Sequence, residues 1–369
     1  MKRRRITPGV LVAIVALITA ACGGTGVDPG SSQAASPDAS GSSNEELTAV
    51  TFLLDYVIGG EHSPYVLGVE KGFFSDEGLA VDVREGFGSS VTVQLVANSD
   101  LVDFGNANAP PVILGVNEGA PIKMVANFTP TNRFQLIWID GETDPIESIE
   151  DLRDKKFGMF QGTSESTIVP LILEKGNLTE DDVEIVQGPP PTSMYTALLQ
   201  GRIDVLMGIG NEIPDLQVME PNVEFKSFML ADSGIDSLAH GLITTDDSIS
   251  SRPEVVAAFV KGAQRSWQYI LEDPAHLQEA IDLVVEKYPS VKGSGDSLLA
   301  ALQSAVEVLR AGAVEGEPLG YTPEEAWLAS FDLINISEDT QVTKPPSEFY
   351  TNEFLSDSIV MTPELLAGD

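Results

Sequence analysis

The chain has few cysteines, histidines and basic residues. Its 369 residues include one cysteine, three histidines and 21 Lys and Arg, against 56 Asp and Glu, for a formal net charge of −35. A single cysteine cannot build a Cys-rich metal site, and no Gly-Lys dipeptide is present for a phosphate-binding P-loop. Because so acidic a surface repels phosphate backbones, nucleic-acid binding is not expected.

Long apolar runs are also scarce, and the most prominent one lies at the N-terminus. The run from Ile6 to Ala20 is mostly apolar and follows the basic residues Lys2 to Arg5. It is shorter than the roughly 20 residues that a membrane-spanning helix needs, and its basic flank orients the chain for export. The pattern predicts a lipoprotein signal peptide over residues 1–21.

The lone cysteine stands directly after this segment. Ile18 to Cys22 resembles the bacterial lipobox, in which small residues precede a cysteine that becomes lipidated. The alternative is an uncleaved anchor with an incidental free thiol. Residues 22–47 are rich in Gly, Ser, Ala, Pro and Asp, a composition that predicts a disordered tether. We therefore expect an extracytoplasmic body that is lipid-anchored to the cell membrane, on the periplasmic face or the cell surface.

The remaining residues alternate short apolar runs with helical patterns, which predicts an α/β architecture. Val50 to Tyr56 and Leu101 to Gly105 read as strands, and Gly162 to Glu165 as a polar turn into a helix. Apolar residues at helical spacing predict a long helix from Pro253 to Leu271. The three tryptophans stand in patterned segments and are expected in the core: Trp138, Trp267 and Trp327.

Several short motifs occur in an order that is typical of one family. The chain resembles the thiamine-pyrimidine-precursor and sulfonate family of ABC-importer solute-binding proteins over most of Thr48 to Leu355. The motifs that carry the resemblance are Leu54-Asp55-Tyr56, His62-Ser63-Pro64-Tyr65, Glu70 to Val81, Asp103-Phe104-Gly105, Asp151 to Gly158, Leu198 to Asp204 and Tyr350 to Leu355.

The resemblance implies a type II periplasmic-binding-protein fold, with two α/β lobes joined by two crossing strands. Lobe 1 would comprise residues 48–130 and 240–369, and lobe 2 residues 131–239. The solute would sit in the cleft beyond the strand ends, where helix N-termini offer backbone N–H groups. Lobe closure on the solute and docking on a membrane permease would follow. A monomer without cofactor or metal is expected.

The resemblance also suggests ligand-binding residues in lobe 1. Tyr56 ends the predicted first strand, where its ring could stack on a flat heterocycle or simply pack at the rim. His62 precedes a helix start and is either a ligand contact or a solvated histidine. Asn106 follows the predicted strand that ends at Gly105, and is either a hydrogen-bonding partner of the solute or a turn residue.

In lobe 2 the helix-start loop is the best-placed ligand contact, because its hydroxyls and amides face the cleft. This loop contributes Gln161, Thr163 and Ser164. Tyr195 is a second stacking face or a packing residue. Glu212 and Asp232 are acidic residues that could accept hydrogen bonds from an aminopyrimidine, or could be ordinary solvated acids.

The acidic residues and the single cysteine guide the expected solute class and the choice between a binding protein and an enzyme. The acidic charge with Glu212 and Asp232 favours a small heterocycle such as a thiamine pyrimidine precursor. An aliphatic sulfonate, nitrate or riboflavin is the alternative. The resembling family includes an enzyme branch that builds the pyrimidine and relies on a Cys-rich metal motif. Because this chain has one cysteine, we expect a binding protein and not a pyrimidine synthase.

Overall fold

The structure is a computed structural model, which describes residues 47–161, 163–189, 192–208, 210, 212–291, 293–336 and 341–368, without the side chains of 164–167. The predicted signal peptide, Cys22 and the tether up to residue 46 lie outside the described residues. Glu45–Asp369 form one compact unit. In the described part of the chain, no helix combines the length and the apolar character needed to cross a bilayer.

Runs rich in β-branched and aromatic residues form the strands, as the pattern predicts. Within the described residues the strands are β1 (Thr48–Leu53), β2 (Leu79–Arg84), β3 (Phe104–Asn108), β4 (Ile122–Asn127), β5 (Gln135–Ile139), β6 (Lys156–Phe160), β7 (Glu184–Gly188), β8 (Val205–Gly208), β9 (Phe225–Met229) and β10 (His240–Thr245).

The helices fill the connections between strands and most of the chain after β10. They are α1 (Ser63–Glu70), α2 (Ser89–Asn98), α3 (Ala109–Asn117), α4 (Ser164–Lys175), α5 (Thr192–Leu199), α6 (Glu212–Met219), α7 (Asp246–Ser251), α8 (Pro253–Glu272), α9 (Pro274–Lys287), α10 (Gly295–Gly312), α11 (Glu324–Ile334) and α12 (Pro363–Ala367). Short 3₁₀ turns include Gly60–His62 and Leu230–Ser233.

The strands of the described chain form two five-stranded sheets, with the orders β2-β1-β3-β10-β4 and β7-β6-β8-β5-β9. In each sheet the first three strands are parallel, and the fourth runs antiparallel to both of its neighbours. In the first sheet this antiparallel strand is β10, which comes from a distant part of the chain. In the second sheet it is β5, the first strand of that sheet along the chain. The predicted α/β class is confirmed.

The chain passes from the first sheet to the second over residues 128–134 and returns over 230–239. The two passages hydrogen-bond to each other, because Asn132 N donates to Ser237 O at 2.8 Å and Ala239 N donates to Thr129 O at 3.2 Å. The buried Asn132 side chain also donates to Leu238 O at 2.6 Å and exchanges hydrogen bonds with Asn108 of β3. The crossing is therefore fixed by buried polar contacts.

The core agrees with the predicted helical spacing. The long helix α8 runs from Pro253 to Glu272 and buries Phe259 and Trp267 against the first sheet. Trp138, Trp267 and Trp327 are 5%, 1% and 0% exposed, so the prediction that they belong to the core is confirmed.

Two strand boundaries were predicted wrongly. The first strand ends at Leu53, so Tyr56 lies in the following loop and does not end the strand. The third strand is Phe104–Asn108 and not Leu101 to Gly105, because Leu101 is 75% exposed whereas the whole of β3 is buried. Asn106 therefore lies within a strand and not after it.

Candidate functional site

A cavity of about 490 Å³ lies where strand ends and helix N-termini from both sheets meet. The loop after β1 and the start of α2 form one wall, while the end of β6 and the starts of α4, α5 and α6 form the other. The lining residues are Asp55 to Glu61, Gly88, Ser89, Phe160, Thr163, Thr192, Tyr195, Glu212, Asp215, Val218, Met219, Ser290, Val291, Ser294, Ser297, Leu298 and Ala301. This is the position at which open α/β sheets bind ligands.

The loop after β1 is pressed against α10 by a close backbone approach. A Cβ atom on Gly60 would lie 2.0 Å from the carbonyl oxygen of Leu298, so only glycine fits at this contact. The loop therefore joins the first wall of the cavity to α10.

Asp55 is the centre of a buried polar cluster in the first wall. Its Oδ1 atom lies 2.7 Å from His62 Nε2 and 3.3 Å from Asn106 Nδ2, and its Oδ2 atom lies 3.1 Å from His240 Nε2. The backbone N–H of Gly59 donates to His62 Nδ1 at 2.9 Å, so His62 uses its Nε2–H to donate to Asp55. Three separate segments of the chain thus hold one carboxylate at the cavity.

The histidines decide the charge state of this carboxylate. Burial alone would raise the pKa of Asp55, but His240 and His62 hold that pKa well below its usual range. Burial opposes the charged form of His240, and the attraction of Asp55 outweighs it, so the pKa of His240 is raised above 6.5. Asp55 is therefore an ionised carboxylate that lines the cavity while being only 7% exposed.

The second wall carries a tyrosine and two further acids. Tyr195 of α5 donates its hydroxyl hydrogen to Asp215 Oδ2 at 3.3 Å, and Ser297 of α10 lies near Asp215, where it partly opposes the effect of burial on the pKa of Asp215. Burial raises the pKa of Asp215. Burial, together with the nearby carboxylates of Glu212 and Asp215, raises the pKa of Tyr195 well above its usual value.

Glu212 is the first residue of α6 and is only 4% exposed. Its Oε2 atom accepts a hydrogen bond from the backbone N–H of Gly210 at 3.0 Å. A carboxylate at a helix N-terminus is favoured by the helix dipole. Glu212 therefore presents an acidic group on the second wall, opposite the loop that carries Asp55 and Tyr56.

Four of the nine residues predicted to bind the ligand line the cavity: Tyr56, Thr163, Tyr195 and Glu212. Thr163 precedes α4, and its hydroxyl donates to Phe160 O at 3.0 Å. His62 and Asn106 lie one layer behind the lining and contact Asp55. Gln161 and Asp232 are exposed and are not among the described lining residues. Ser164 begins α4, and its side chain is outside the described part.

Sequence reasoning missed three acidic lining residues: Asp55, Glu61 and Asp215. For Asp55 a signal was present, since it directly follows a buried apolar run and precedes a tyrosine. Together with Glu212 these residues put four carboxylates on the cavity surface, and the described lining contains no Lys, Arg or His. Such a surface favours ligands that donate hydrogen bonds or carry positive charge.

Residues 60–277 match the family described as NMT1/THI5 like. The chain belongs to this family. This match confirms the predicted resemblance. Relatives of the chain are named for riboflavin binding and for formylaminopyrimidine binding. The riboflavin-binding protein RibY of Chloroflexus aurantiacus is 27% identical over 96% of this chain and 98% of its own length. The formylaminopyrimidine-binding protein of Halalkalibacterium halodurans is 25% identical over 66% of this chain and 72% of its own.

Enzymes also appear among the relatives of this NMT1/THI5-like chain. A 4-amino-5-hydroxymethyl-2-methylpyrimidine phosphate synthase of Saccharomyces cerevisiae is 25% identical over 61% of this chain and 68% of its own length. Sequence similarity alone therefore does not distinguish a binding protein from a synthase.

Solved structures establish the fold. A protein of Bordetella bronchiseptica RB50 has a TM-score of 0.67 at 20% identity, covering 84% of this chain and 96% of that chain. The periplasmic nitrate-binding protein NrtA of Synechocystis PCC 6803 has a TM-score of 0.58 at 13% identity, covering 84% and 87%. The predicted periplasmic-binding fold of this NMT1/THI5-like protein is confirmed.

Proposed function

We propose that this protein is the extracytoplasmic solute-binding component of an ABC importer, and that it binds a planar, nitrogen-containing heterocycle. The observation that carries the proposal is the cavity, where Tyr56 and Tyr195 provide aromatic rings and four carboxylates provide hydrogen-bond acceptors. Aromatic rings stack on flat heterocycles, and carboxylates accept hydrogen bonds from ring N–H, amino and hydroxyl groups.

The same lining argues against an anionic solute. A sulfonate or nitrate bound beside Asp55, Glu61, Glu212 and Asp215 would meet four like charges, and the described lining offers it no cationic side chain. Among the described elements around the cavity, the backbone N–H groups at the starts of α2, α4 and α5 could attract it. We therefore rank heterocycles above sulfonate and nitrate as candidate solutes.

Cavity size favours riboflavin over a single pyrimidine ring. A volume of about 490 Å³ lies within the roughly 300–1,000 Å³ that is typical of sites for drug-sized ligands. A monocyclic pyrimidine would leave part of this space to water, whereas a fused tricyclic ring with a polyhydroxylated chain fills more of it. The relative that aligns over nearly the whole chain is also named for riboflavin. The thiamine pyrimidine precursor is the second candidate.

The proposed mechanism is closure of two lobes, with bounds at residues 48–130 plus 240–369 and 131–239. The passages at 128–134 and 230–239 lie at these bounds and would act as the hinge. A ligand that contacts both cavity walls stabilises the closed form by its additional contacts. The closed protein would then dock on a permease, and the ligand would leave unaltered.

The lipid anchor on Cys22 is part of the proposal and rests on the sequence. Substituting Cys22 by Ser should move the processed protein from the membrane fraction to the soluble extracytoplasmic fraction, which fractionation and immunoblotting measure. Retention of processed Cys22→Ser protein on membranes would contradict lipidation.

A pair of ligands that differ by one phosphate tests the function. We expect riboflavin to raise the melting temperature of the full-length protein in proportion to its concentration. Flavin mononucleotide carries the same ring with about −1.5 to −2 added charge, and should bind more weakly because of the acidic lining. The pyrimidine 4-amino-5-hydroxymethyl-2-methylpyrimidine and its phosphate make the second matched pair.

Methanesulfonate, which carries no amino group, and nitrate complete the panel as anionic controls. Stabilisation by methanesulfonate or nitrate but by neither heterocycle would overturn the proposed solute class. Chemical conversion of a bound heterocycle, detected by mass spectrometry after incubation, would overturn the assignment as a binding protein.

A further inference from the structure

Arg133 lies on the first passage between the sheets, directly behind the second cavity wall. It is half-buried, is not among the residues that line the large cavity, and lines a neighbouring cavity of about 40 Å³ together with Glu61 and His240. Its Nη1 atom donates to Ser304 Oγ of α10. One cation therefore lies next to an acidic ligand site without facing the ligand.

The guanidinium group rests on the loop that holds Glu212. A Cβ atom on Gly210 would lie 2.9–3.0 Å from the Nη2, Cζ and Nε atoms of Arg133, so the planar group packs against the Gly210 backbone. Gly210 has a φ of +114°, a conformation that also favours glycine. The same residue donates its N–H to Glu212 Oε2 at 3.0 Å. Arg133 and the Glu212 carboxylate thus both contact the backbone of Gly210.

The charges around Arg133 fit a role as counter-ion. Burial lowers the pKa of Arg133, and the carboxylates of Glu212, Glu61 and Glu307 oppose that effect. A carboxylate as buried as Glu212 is costly unless a positive charge or hydrogen bonds compensate it. A cation behind the wall contributes to this compensation from outside the cavity lining.

We propose that Arg133 is a positioning residue for ligand binding, which acts through Glu212. It packs against the Gly210 backbone from behind, supplies a positive charge near the Glu212 carboxylate that lines the cavity, and ties this wall to α10 through Ser304. The inference rests on the proposed function, because it assigns Glu212 a direct contact with the heterocycle. In this assignment Arg133 supplies a positive charge to the acidic wall. Because Arg133 does not line the large cavity, it does not provide a binding site for an anion there.

A double-mutant cycle on ligand affinity tests this role. The variants are Arg133→Gln, Glu212→Gln and the double variant, and the probes are riboflavin and 4-amino-5-hydroxymethyl-2-methylpyrimidine, measured by calorimetry on the full-length protein. We expect each single variant to bind about tenfold more weakly or worse, and the double variant to match Glu212→Gln alone. Additive losses would overturn the inference, because a purely structural effect of Arg133 does not depend on Glu212.

Two further variants separate charge from folding. Arg133→Lys keeps the positive charge and should bind more tightly than Arg133→Gln, whereas the control Arg84→Gln, which removes an exposed arginine paired with Asp82, should leave affinity unchanged. Equal loss in Arg133→Lys and Arg133→Gln would overturn the role of the charge. If Arg133→Gln does not fold, Ser304→Ala in the parent and Glu212→Gln backgrounds replaces it, and additive losses there overturn the inference.

A ligand-free measurement distinguishes failure of this inference from failure of the proposed function. The same cycle on the urea-unfolding free energy of the apo protein should be non-additive if Arg133 and Glu212 are coupled. Additive unfolding energies overturn the pairing even when ligand binds. If neither probe binds the parent chain, the proposed function and the ligand-directed role both fail, and non-additive unfolding energies then leave only a structural ion pair.

Discussion

The two walls of the cavity present acids in different ways. In the first wall Asp55 contacts His62, Asn106 and His240, which come from the loop before α1 and from strands β3 and β10. In the second wall Asp215 accepts a hydrogen bond from Tyr195 and lies near Ser297 of α10, which follows β10 in the chain. The first wall is therefore built into its own sheet, whereas the second depends on contacts that reach across the cavity.

From this difference we expect substitutions in the first wall to change mainly the stability of the protein, and substitutions in the second wall to change mainly its affinity for the ligand. Asp55 contacts its three partners on its own side of the cavity, so its loss should mainly destabilise the protein. Under the proposed lobe closure, side chains that lie near α10 across the cavity would change their surroundings, so their loss should mainly alter binding. Four predictions test this division, from the largest expected effect to the smallest.

Removal of the Asp55 carboxylate should cause the largest loss of stability. Asp55→Ala leaves His62 and His240 buried without their shared partner, and breaking a buried ion pair costs about 3–5 kcal/mol. The measurement is the free energy of unfolding in urea at pH 6. The matched variant Asp215→Ala removes an acid from the second wall and should cost about 1 kcal/mol. Equal losses in the two variants would remove the distinction between the walls.

Neutralisation of Glu212 should weaken binding and leave folding nearly intact. A hydrogen bond to a charged group contributes about 1.5–3 kcal/mol, so Glu212→Gln should bind an aminopyrimidine or riboflavin about 10- to 100-fold more weakly. Affinity for methanesulfonate, a simple anion, should rise, because one negative charge leaves the cavity. Calorimetry with both kinds of ligand measures the two signs. A weaker affinity for methanesulfonate as well would point to general damage of the wall.

The Tyr195 hydroxyl should have a smaller effect than its ring. Tyr195→Phe loses the hydrogen bond to Asp215 but keeps the aromatic face, so affinity should fall by about 1 kcal/mol or less. Tyr195→Ala loses the stacking surface as well, and should bind distinctly more weakly. Fluorescence quenching of riboflavin can measure both. If Tyr195→Phe and Tyr195→Ala bind alike, the ring does not contact the ligand.

Local sequence patterns were sufficient to predict the α/β class and the elements with a long or well-bounded pattern. The spacing of Phe259, Ala263 and Trp267 repeats over many turns, and the observed α8 differs from the predicted helix by one residue at its end. The helix start after Thr163 was also recognisable, because a polar turn separates an apolar strand from an apolar helix face. Long or well-bounded patterns predict structure because many residues carry the same signal.

The buried polar contacts could not be predicted in this way. His240 meets Asp55 only because β10 inserts between β3 and β4, a pairing between distant parts of the chain. Asn106 was expected after a strand, but β3 tolerates it inside because its amide reaches Asp55. His62 was predicted as a ligand contact or a solvated histidine; it is buried and contacts Asp55, and its contact with a ligand stays a prediction. Polar residues were placed by long-range pairing, which local periodicity does not encode.

The pH dependence of stability should be the smallest effect, and it tests the first wall alone. The pKa of His240 is raised above 6.5 by Asp55, so its stabilising contribution is fully present below pH 6.5 and is lost as pH rises through the raised pKa. The charged or titratable neighbours of His240 are Asp55, Glu61, His62 and Arg133. Carboxylates with ordinary pKa values stay ionised in this range, so a histidine dominates the change.

The free energy of unfolding should therefore decrease between pH 6 and pH 9 in the parent protein and decrease less in His240→Gln. His276→Gln is the matched control, because His276 Nδ1 lies 2.6 Å from the backbone oxygen of Tyr269, outside the Asp55 cluster. It should keep the slope of the parent. Should His240→Gln show the full parental slope, Asp55 would not hold His240 in its charged form, and His240 would be a neutral neighbour of Asp55 instead of its counter-ion.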